Sequence, residues 1–299
     1  MNTVIPFHEF RKQCGINGGI MSENRYTRLK AIKEFGYDIN WEELNQYHVG
    51  IVGVGGLGCV SSEMTVRSGV GKVSLFDFDK VEMVNLNRSM FKESHIGKYK
   101  VDIAKQVLEE INPEVEIEVY NRDIMDPSFE STFESKITSI DIILNGLDNI
   151  PAREYLNIKC VSLNIPYMDA GASRSGLSGY VHPIIPGKTS CAKCLSRIGF
   201  SLPDERAEPC VASLPSTMAI LASIQFQEMI KYLLDFGQLI DYLMYDMVSG
   251  KFLDYKTKRD EDCPICGRSS QKSNKKIESK VSKKELDDFI DKIEKNSGS

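Results

Sequence analysis

No stretch of this sequence is both long enough and apolar enough to be a membrane span. The most apolar long segment, Met218 to Leu234, carries Gln225, Gln227, Glu228 and Lys231, so it reads as a packed helix. The opening residues, MNTVIPFHEFRKQCG, contain no continuous apolar run, which argues against a secretory signal. An excess of basic residues is missing too: the formal net charge is -5, so the broad basic face that displaces counterions from nucleic acid is not available. Internal repeats are absent. What remains is a chain of 299 residues that is 41% hydrophobic, enough for a sizeable core in one large α/β domain or two smaller ones. Its eight cysteines come without a signal sequence, which points to a reducing compartment, the cytoplasm. There, paired cysteines hold metal more often than they form disulfides.

Residues 1–24 show no clear periodicity and read as a loose arm, followed by a helical stretch from Tyr26 to Phe35. From there apolar strands alternate with helices. VGIVGV precedes a helix from Gly58 to Ser68, and KVSLFDF follows it. A helix between Lys100 and Ile111, the strand VEIEVY, a further helical stretch and DIILNG continue the series. This alternation predicts a doubly wound, Rossmann-like, mostly parallel sheet. The ligand crevice of such a sheet lies at the carboxyl ends of its strands, here the loops after Val54, Asp77 and Gly146. After residue 165 short strands and irregular segments take over, followed by a long helix from Pro215. Residues 25–267 are read as one domain, and 268–299 as a Lys/Ser-rich tail. In that tail Leu286, Phe289, Ile290 and Ile293 share one helical face behind a Ser282/Glu285 capping box. Such a helix can dock on its own domain or on a partner.

The stretch HVGIVGVGGLGCV is a strand running into a glycine turn. Gly53, Gly55 and Gly58 have the G-x-G-x-x-G spacing, with Gly56 inside it. The spacing allows a tight turn, a close backbone approach to phosphate oxygens, and a helix whose N-terminal amides attract negative charge. Asp77 ends the next strand, where a carboxylate can hold ribose hydroxyls. Hydride transfer from a dinucleotide and attack on ATP both use such a turn. The residues that follow favour ATP. DFDKVEMVNLNR brings Asn85 and Arg88 shortly after the acid, and Lys100 opens the next helix. A nicotinamide pocket has no use for that cationic cluster, whereas attack at a phosphate needs it to stabilise developing charge. NGLDN then places Asp148 and Asn149 at a later strand end, where a carboxylate could hold Mg²⁺ beside the phosphates.

Cys191 and Cys194 form one C-x-x-C, Cys263 and Cys266 another. Together they supply four thiolates for a closed, structural Zn²⁺ site clipping the C-terminal half. A redox C-x-x-C is the competing reading, weakened because neither pair lies in a strand-to-helix turn.

GVGGLG, FDFDKVEMVNLNR, Lys100, LDN and the paired C-x-x-C motifs together resemble the adenylation domain of ubiquitin-like-protein activating enzymes and their sulfur-carrier relatives. EPCVASLPSTMAILASI is most similar to the compact branch that activates the ubiquitin-fold modifier, with its catalytic cysteine inside the adenylation domain. The resemblance implies an ATP- and Mg²⁺-dependent enzyme that adenylates the C-terminal glycine of a ubiquitin-like modifier, and a homodimer. The modifier would then form a thioester and pass to a conjugating enzyme. Gly53, Gly55, Gly56 and Asp77 would contact ATP, with Asn85, Arg88 and Lys100 around the phosphates. Asp148 would hold Mg²⁺, and Asn149 would lie near the nucleotide. Asp123 falls where a related enzyme has an adenine-side asparagine. Arg28, in RYTR, resembles an arginine that reaches the partner subunit's ATP site. Cys210 would be the nucleophile: it belongs to neither zinc pair, sits in the polar segment DERAEPCVASLPS, and shortly precedes a long helix. Within the same fold, a sulfur-carrier adenylyltransferase that stops at the acyl-adenylate is the alternative, and CAKCLSR suits it equally. A non-catalytic scaffold is disfavoured by the intact Arg88, Lys100 and Asp148 set.

Overall fold

A computed structural model of the protein describes residues 24–197 and 212–267. Among these, eight strands form one sheet in the order β3-β2-β1-β4-β5-β6-β7-β8. They are β1 (His48–Val52), β2 (Lys72–Phe76), β3 (Glu116–Tyr120), β4 (Ile142–Asn145), β5 (Tyr167–Ala172), β6 (Ser178–Ile184), β7 (Tyr242–Asp246) and β8 (Lys251–Tyr255). The first five pair in parallel, and β6, β7 and β8 are added antiparallel. The sheet is therefore mostly parallel and doubly wound. The chain winds outward from β1 to β3, then returns to β4 on the other side of β1, which makes the β1/β4 boundary the switch point where a crevice opens.

Helices cover both faces: α1 (Gly56–Arg67), α2 (Lys100–Ile111), α3 (Glu130–Ile137), α4 (Ile150–Ser162), the short α5 (Ala192–Arg197) and the long α6 (Pro215–Leu233). Alternate strand residues supply two separate cores, as the period of two in a strand requires. Val49, Ile51, Val73, Leu75, Ile142 and Leu144 pack with Val66, Val101, Ile103 and Met229 on one side. Val52, Phe76, Ile143 and Tyr167 pack with Phe133, Ile137, Leu156 and Cys160 on the other. Gln225 of α6 is buried but partnered. Gln225 Nε2 donates to the Asn145 and Met168 carbonyls at 2.9 and 2.7 Å, and its Oε1 accepts from Ser61 at 2.7 Å. No helix of the described residues is long and apolar enough to cross a membrane.

The first helical stretch is α-helical only over Thr27–Lys30 and tightens into a 3-10 turn over Ala31–Phe35, closed by Gly36 at φ 86°. The helix after the glycine turn starts at Gly56, two residues earlier than its sequence pattern suggests. Residues 1–23, 198–211 and 268–299 lie outside the described residues, and with them the arm, Cys210 and the tail helix.

Candidate nucleotide cleft and cysteine cluster

The loops after β1, β2 and β4 line a cleft of about 420 Å³ at the switch point. Its floor is the glycine turn. Gly53 has φ 88°, and a Cβ there would sit 2.7 Å from the Gly146 carbonyl carbon. A Cβ on Gly58 would lie 1.9 Å from the Gly53 oxygen, so α1 can pack on the end of β1, and that end beside the loop after β4, only with glycine at both places. A Cβ on Gly55 would meet nothing within 4 Å; it faces open space, which a ligand can enter.

Asp77 is clamped over this turn. Its Oδ2 accepts from the Val54 N–H at 2.6 Å and its Oδ1 from the Asp79 N–H at 2.8 Å. Burial raises its carboxyl above the usual range, opposed by Lys100 and these two amides. Lys100 opens α2, and its Nζ lies 2.7 Å from Asp79 Oδ2 with the side chain 9% exposed. Burial works against its charge, but Asp77, Asp79 and Asp148 outweigh it and hold the ammonium above its ordinary value. Arg88 lays its stem over Gly56, where a Cβ would meet Cγ and Cδ at 3.2 Å. Its Nη1 donates to the Val84 carbonyl at 2.6 Å and to Asn87 Oδ1 at 2.9 Å.

The remaining predicted residues divide into several positions. Gly53, Gly55, Gly56, Asp77, Asn85, Arg88, Lys100, Asp123, Asp148 and Asn149 all line the cleft. Asn85 and Asn149 also have local duties. Asn85 Oδ1 accepts from the Glu82 N–H at 2.9 Å, and Asn149 caps α4 by accepting from the Ala152 N–H at 2.9 Å. Asp123 fixes its own loop through Met125 N–H at 2.9 Å. Arg28 is exposed and does not line its own chain's cleft. The pattern of residues gave no notice of Arg122, Arg153, Arg174 or Phe78, which also line it. Arg153 carried no signal in the sequence, because only the backbone geometry shows Asn149 capping the helix on which it stands.

Cys191, Cys194, Cys263 and Cys266 come together against the core that holds Val52, Phe76 and Tyr167, all buried, with their sulfurs within 4.8 Å of one another. The Cys191 sulfur lies 3.8 Å from that of Cys194 and 3.7 Å from that of Cys263, and Cys194 to Cys266 is 3.3 Å. A tetrahedral zinc with bonds of about 2.3 Å sets its sulfurs about 3.8 Å apart, so the donor set fits that ion. The Asp260 N–H donates to Cys194 Sγ at 3.4 Å, the kind of outer contact that favours thiolate. Of the other described cysteines, Cys59 and Cys160 are buried and free, and burial raises both thiols, that of Cys59 to about 12.

The sheet, the glycine turn with its strand-end acid, and the cations beside it define a nucleotide-binding α/β protein whose cleft suits polyphosphate. The ThiF family model matches residues 26–265, and the chain belongs to the ThiF family. Among its relatives is the ubiquitin-like modifier-activating enzyme 5 of Oryza sativa subsp. japonica, 35% identical over 83% of this chain and 62% of that protein. Those of Gallus gallus (36% identical; 86% and 68%) and Xenopus laevis (37%; 82% and 65%) are similar to it as well. The chain thus spans about two thirds of the length of these relatives. Among solved structures, E. coli MccB with ATP superposes with a TM-score of 0.70 at 25% identity, covering 87% of this chain and 80% of MccB. PaaA shares the fold at a TM-score of 0.61 and 19% identity, covering 86% and 85%.

Proposed function

We propose that the protein activates a ubiquitin-like modifier with ATP. The observation that carries this is the convergence of Asp77, Arg88, Lys100 and Asp148 on one glycine turn, in a chain whose relatives are named ubiquitin-like modifier-activating enzymes. An oxygen of the modifier's C-terminal glycine carboxylate adds to the α-phosphorus of ATP. The bond from that phosphorus to the bridging oxygen breaks, and pyrophosphate leaves. Asp77 holds the nucleotide by the ribose, and the Gly55–Gly56 backbone admits the phosphates. Lys100 and Arg88 balance the charge of the departing pyrophosphate. Asp148 is the carboxylate suited to Mg²⁺, which would neutralise phosphate charge when bound.

In the second step the Cys210 thiolate adds to the acyl carbonyl carbon, the bond to the AMP oxygen breaks, and AMP leaves with the electron pair. Cys59 and Cys160 are buried with raised thiols and the four clustered cysteines suit structural zinc; of Cys14 and Cys210, Cys210 is the choice because it sits in DERAEPCVASLPS, the segment that resembles the catalytic-cysteine stretch. Ser213, three residues beyond Cys210, lines the cleft. The thioester is then handed to a conjugating enzyme. We read residues 25–267 as the adenylation domain, with 1–24 and 268–299 as appendages. The active form is a homodimer in which the exposed Arg28 reaches the partner's cleft. The cytoplasm is the compartment that keeps four clustered thiols reduced.

Modifier-dependent ATP–pyrophosphate exchange, followed by a non-reducing gel, tests the reading. Exchange plus a thiol-labile adduct supports it. Exchange without an adduct moves the protein to the sulfur-carrier type of adenylyltransferase, and no exchange with any glycine-terminated modifier overturns the activation itself.

A further inference from the structure

Arg153, like Arg122 and Arg174, is a cation of the cleft that the sequence motifs leave without a role, and its guanidinium is held by several partners. It stands in the first turn of α4, with its side chain 12% exposed. Nη1 donates to Asp169 Oδ1 at 2.6 Å and to the Tyr180 hydroxyl at 2.8 Å, and Nη2 donates to the Ala170 carbonyl at 2.7 Å. Asp169 is itself fixed, accepting from Asn145 Nδ2 and from Tyr180 Oη, each at 2.7 Å. Gly171 makes room for this arrangement: a Cβ there would lie 2.9 Å from Arg153 Nη2 and 2.8 Å from Tyr180 Cε1. The Nε–H and the second Nη2–H have no partner among the described residues. A guanidinium locked on one side by a carboxylate, a phenol and a carbonyl presents its remaining donors in a fixed fork.

The position of that fork is informative. Arg153 and Ile150 border both the nucleotide cleft and a second cavity of about 100 Å³. The second cavity is much too small for a nucleotide and has room for a few water-sized groups. Its polar wall is Asn157, Tyr180, Tyr242 and Ser196, together with two carboxylates that are already paired, Asp169 with Arg153 and Glu154 with Lys193. Any carboxylate that attacks the α-phosphorus must approach a polyanion. The cations on the β2 side are engaged there, Lys100 with Asp79 and Arg88 with its own turn. Arg153 is on the opposite wall, beyond Asp148 in the chain.

Resting on the activation reading above, we propose that Arg153 is a substrate-binding residue: its remaining N–H donors take the C-terminal carboxylate of the modifier where the cleft meets the second cavity. The contact offsets the repulsion between carboxylate and phosphates and aims one oxygen at the α-phosphorus. Charge-assisted contacts of this kind carry about tenfold or more in affinity.

The test compares the ubiquitin-fold modifier ending in its glycine carboxylate with the same protein made as the C-terminal amide. Each is titrated calorimetrically into the full chain carrying a non-hydrolysable ATP analogue. The unaltered enzyme should prefer the carboxylate by about tenfold, and Arg153→Gln should bind the two forms about equally. A preference that survives in Arg153→Gln, or is missing from the unaltered enzyme, overturns the proposal. If Arg153→Gln does not fold, as judged by its melting transition, Tyr180→Phe takes its place. That change removes one clamp of the guanidinium and should shrink the preference several-fold; an unchanged preference refutes the assignment. Pyrophosphate exchange by the unaltered enzyme, run alongside, separates failure of this inference from failure of the activation reading.

Discussion

Replacing Lys100 by methionine keeps the length of the stem and removes the ammonium. The Nζ lies 2.7 Å from Asp79 Oδ2 on a side chain 9% exposed, so the charge is deleted from a place that bulk water screens poorly. With an effective dielectric constant of about 20, one unit-charge contact at about 4 Å is worth about 4 kcal/mol. A single donor aimed at transition-state charge typically carries about 3 to 4 kcal/mol. Exchange of pyrophosphate should therefore fall about 10²- to 10³-fold. A second effect follows from the same geometry. Burial already raises the Asp77 carboxyl, and Lys100 is the largest force holding it down. Without the lysine that carboxyl rises further, so the acidic limb of the exchange profile should move to higher pH. The assay is modifier-dependent exchange across a pH series at saturating ATP, with ATP affinity measured separately. Exchange at the unaltered rate, or an acidic limb that stays in place, would refute the reasoning. A loss confined to ATP affinity would make Lys100 a ground-state contact only.

Elemental analysis should find one zinc per chain. Cys263→Ser should lower the melting temperature and release the metal, because binding free energy at such a site is folding free energy; a stable, metal-free protein would contradict the clip. Cys210→Ala should keep pyrophosphate exchange and lose the thiol-labile adduct, while Cys14, Cys59 and Cys160 replacements keep both; an adduct that persists in Cys210→Ala places the nucleophile elsewhere. Burial lowers His182 from 6.5 to about 4. The unfolded chain therefore takes up this proton below about pH 6.5, while the folded protein does so only below about 4, and acidification through that window should cost about 3 kcal/mol. Denaturant titrations should show a shallower loss in His182→Asn than in the unaltered protein, a difference that separates the histidine from protonation of the clustered thiols. Equal slopes would show that His182 is not the group responsible.

The parallel half of the fold could be read from the chain because its central strands are apolar runs between helices, with the edge strand VEIEVY alternating instead. Strands buried on both faces by helix layers leave that pattern whatever the distant contacts. VGIVGV, KVSLFDF, VEIEVY and DIILNG each contain a strand of the sheet, and the crevice loops followed from their order. Short strands after residue 165 were expected, and SGYVHPIIPG contains β6, but their antiparallel pairing was not legible. β5 carries the buried Asp169 and Gly171, and most of β8 is exposed, so neither shows apolar periodicity. β6 joins β5 to β7, and β8 is added on β7 alone.

The same division runs through the cleft. Glycine spacing, a carboxylate at a strand end and two C-x-x-C pairs are local patterns, because turn geometry and metal geometry act over a few residues. That Cys191 meets Cys263, 72 positions away, was a matter of chemistry and not of any local rule. The duties of Asn149 as a helix cap and of Asn85 as a turn cap emerged only from backbone geometry. Arg153 shows the limit most clearly. In the sequence it is one charged helical residue among many, indistinguishable from a solvated one. Only the tertiary structure closes Asp169, Tyr180 and Ala170 around it, from strands that lie 16 to 27 residues further on, because a buried guanidinium is tolerated only where distant acceptors converge on it.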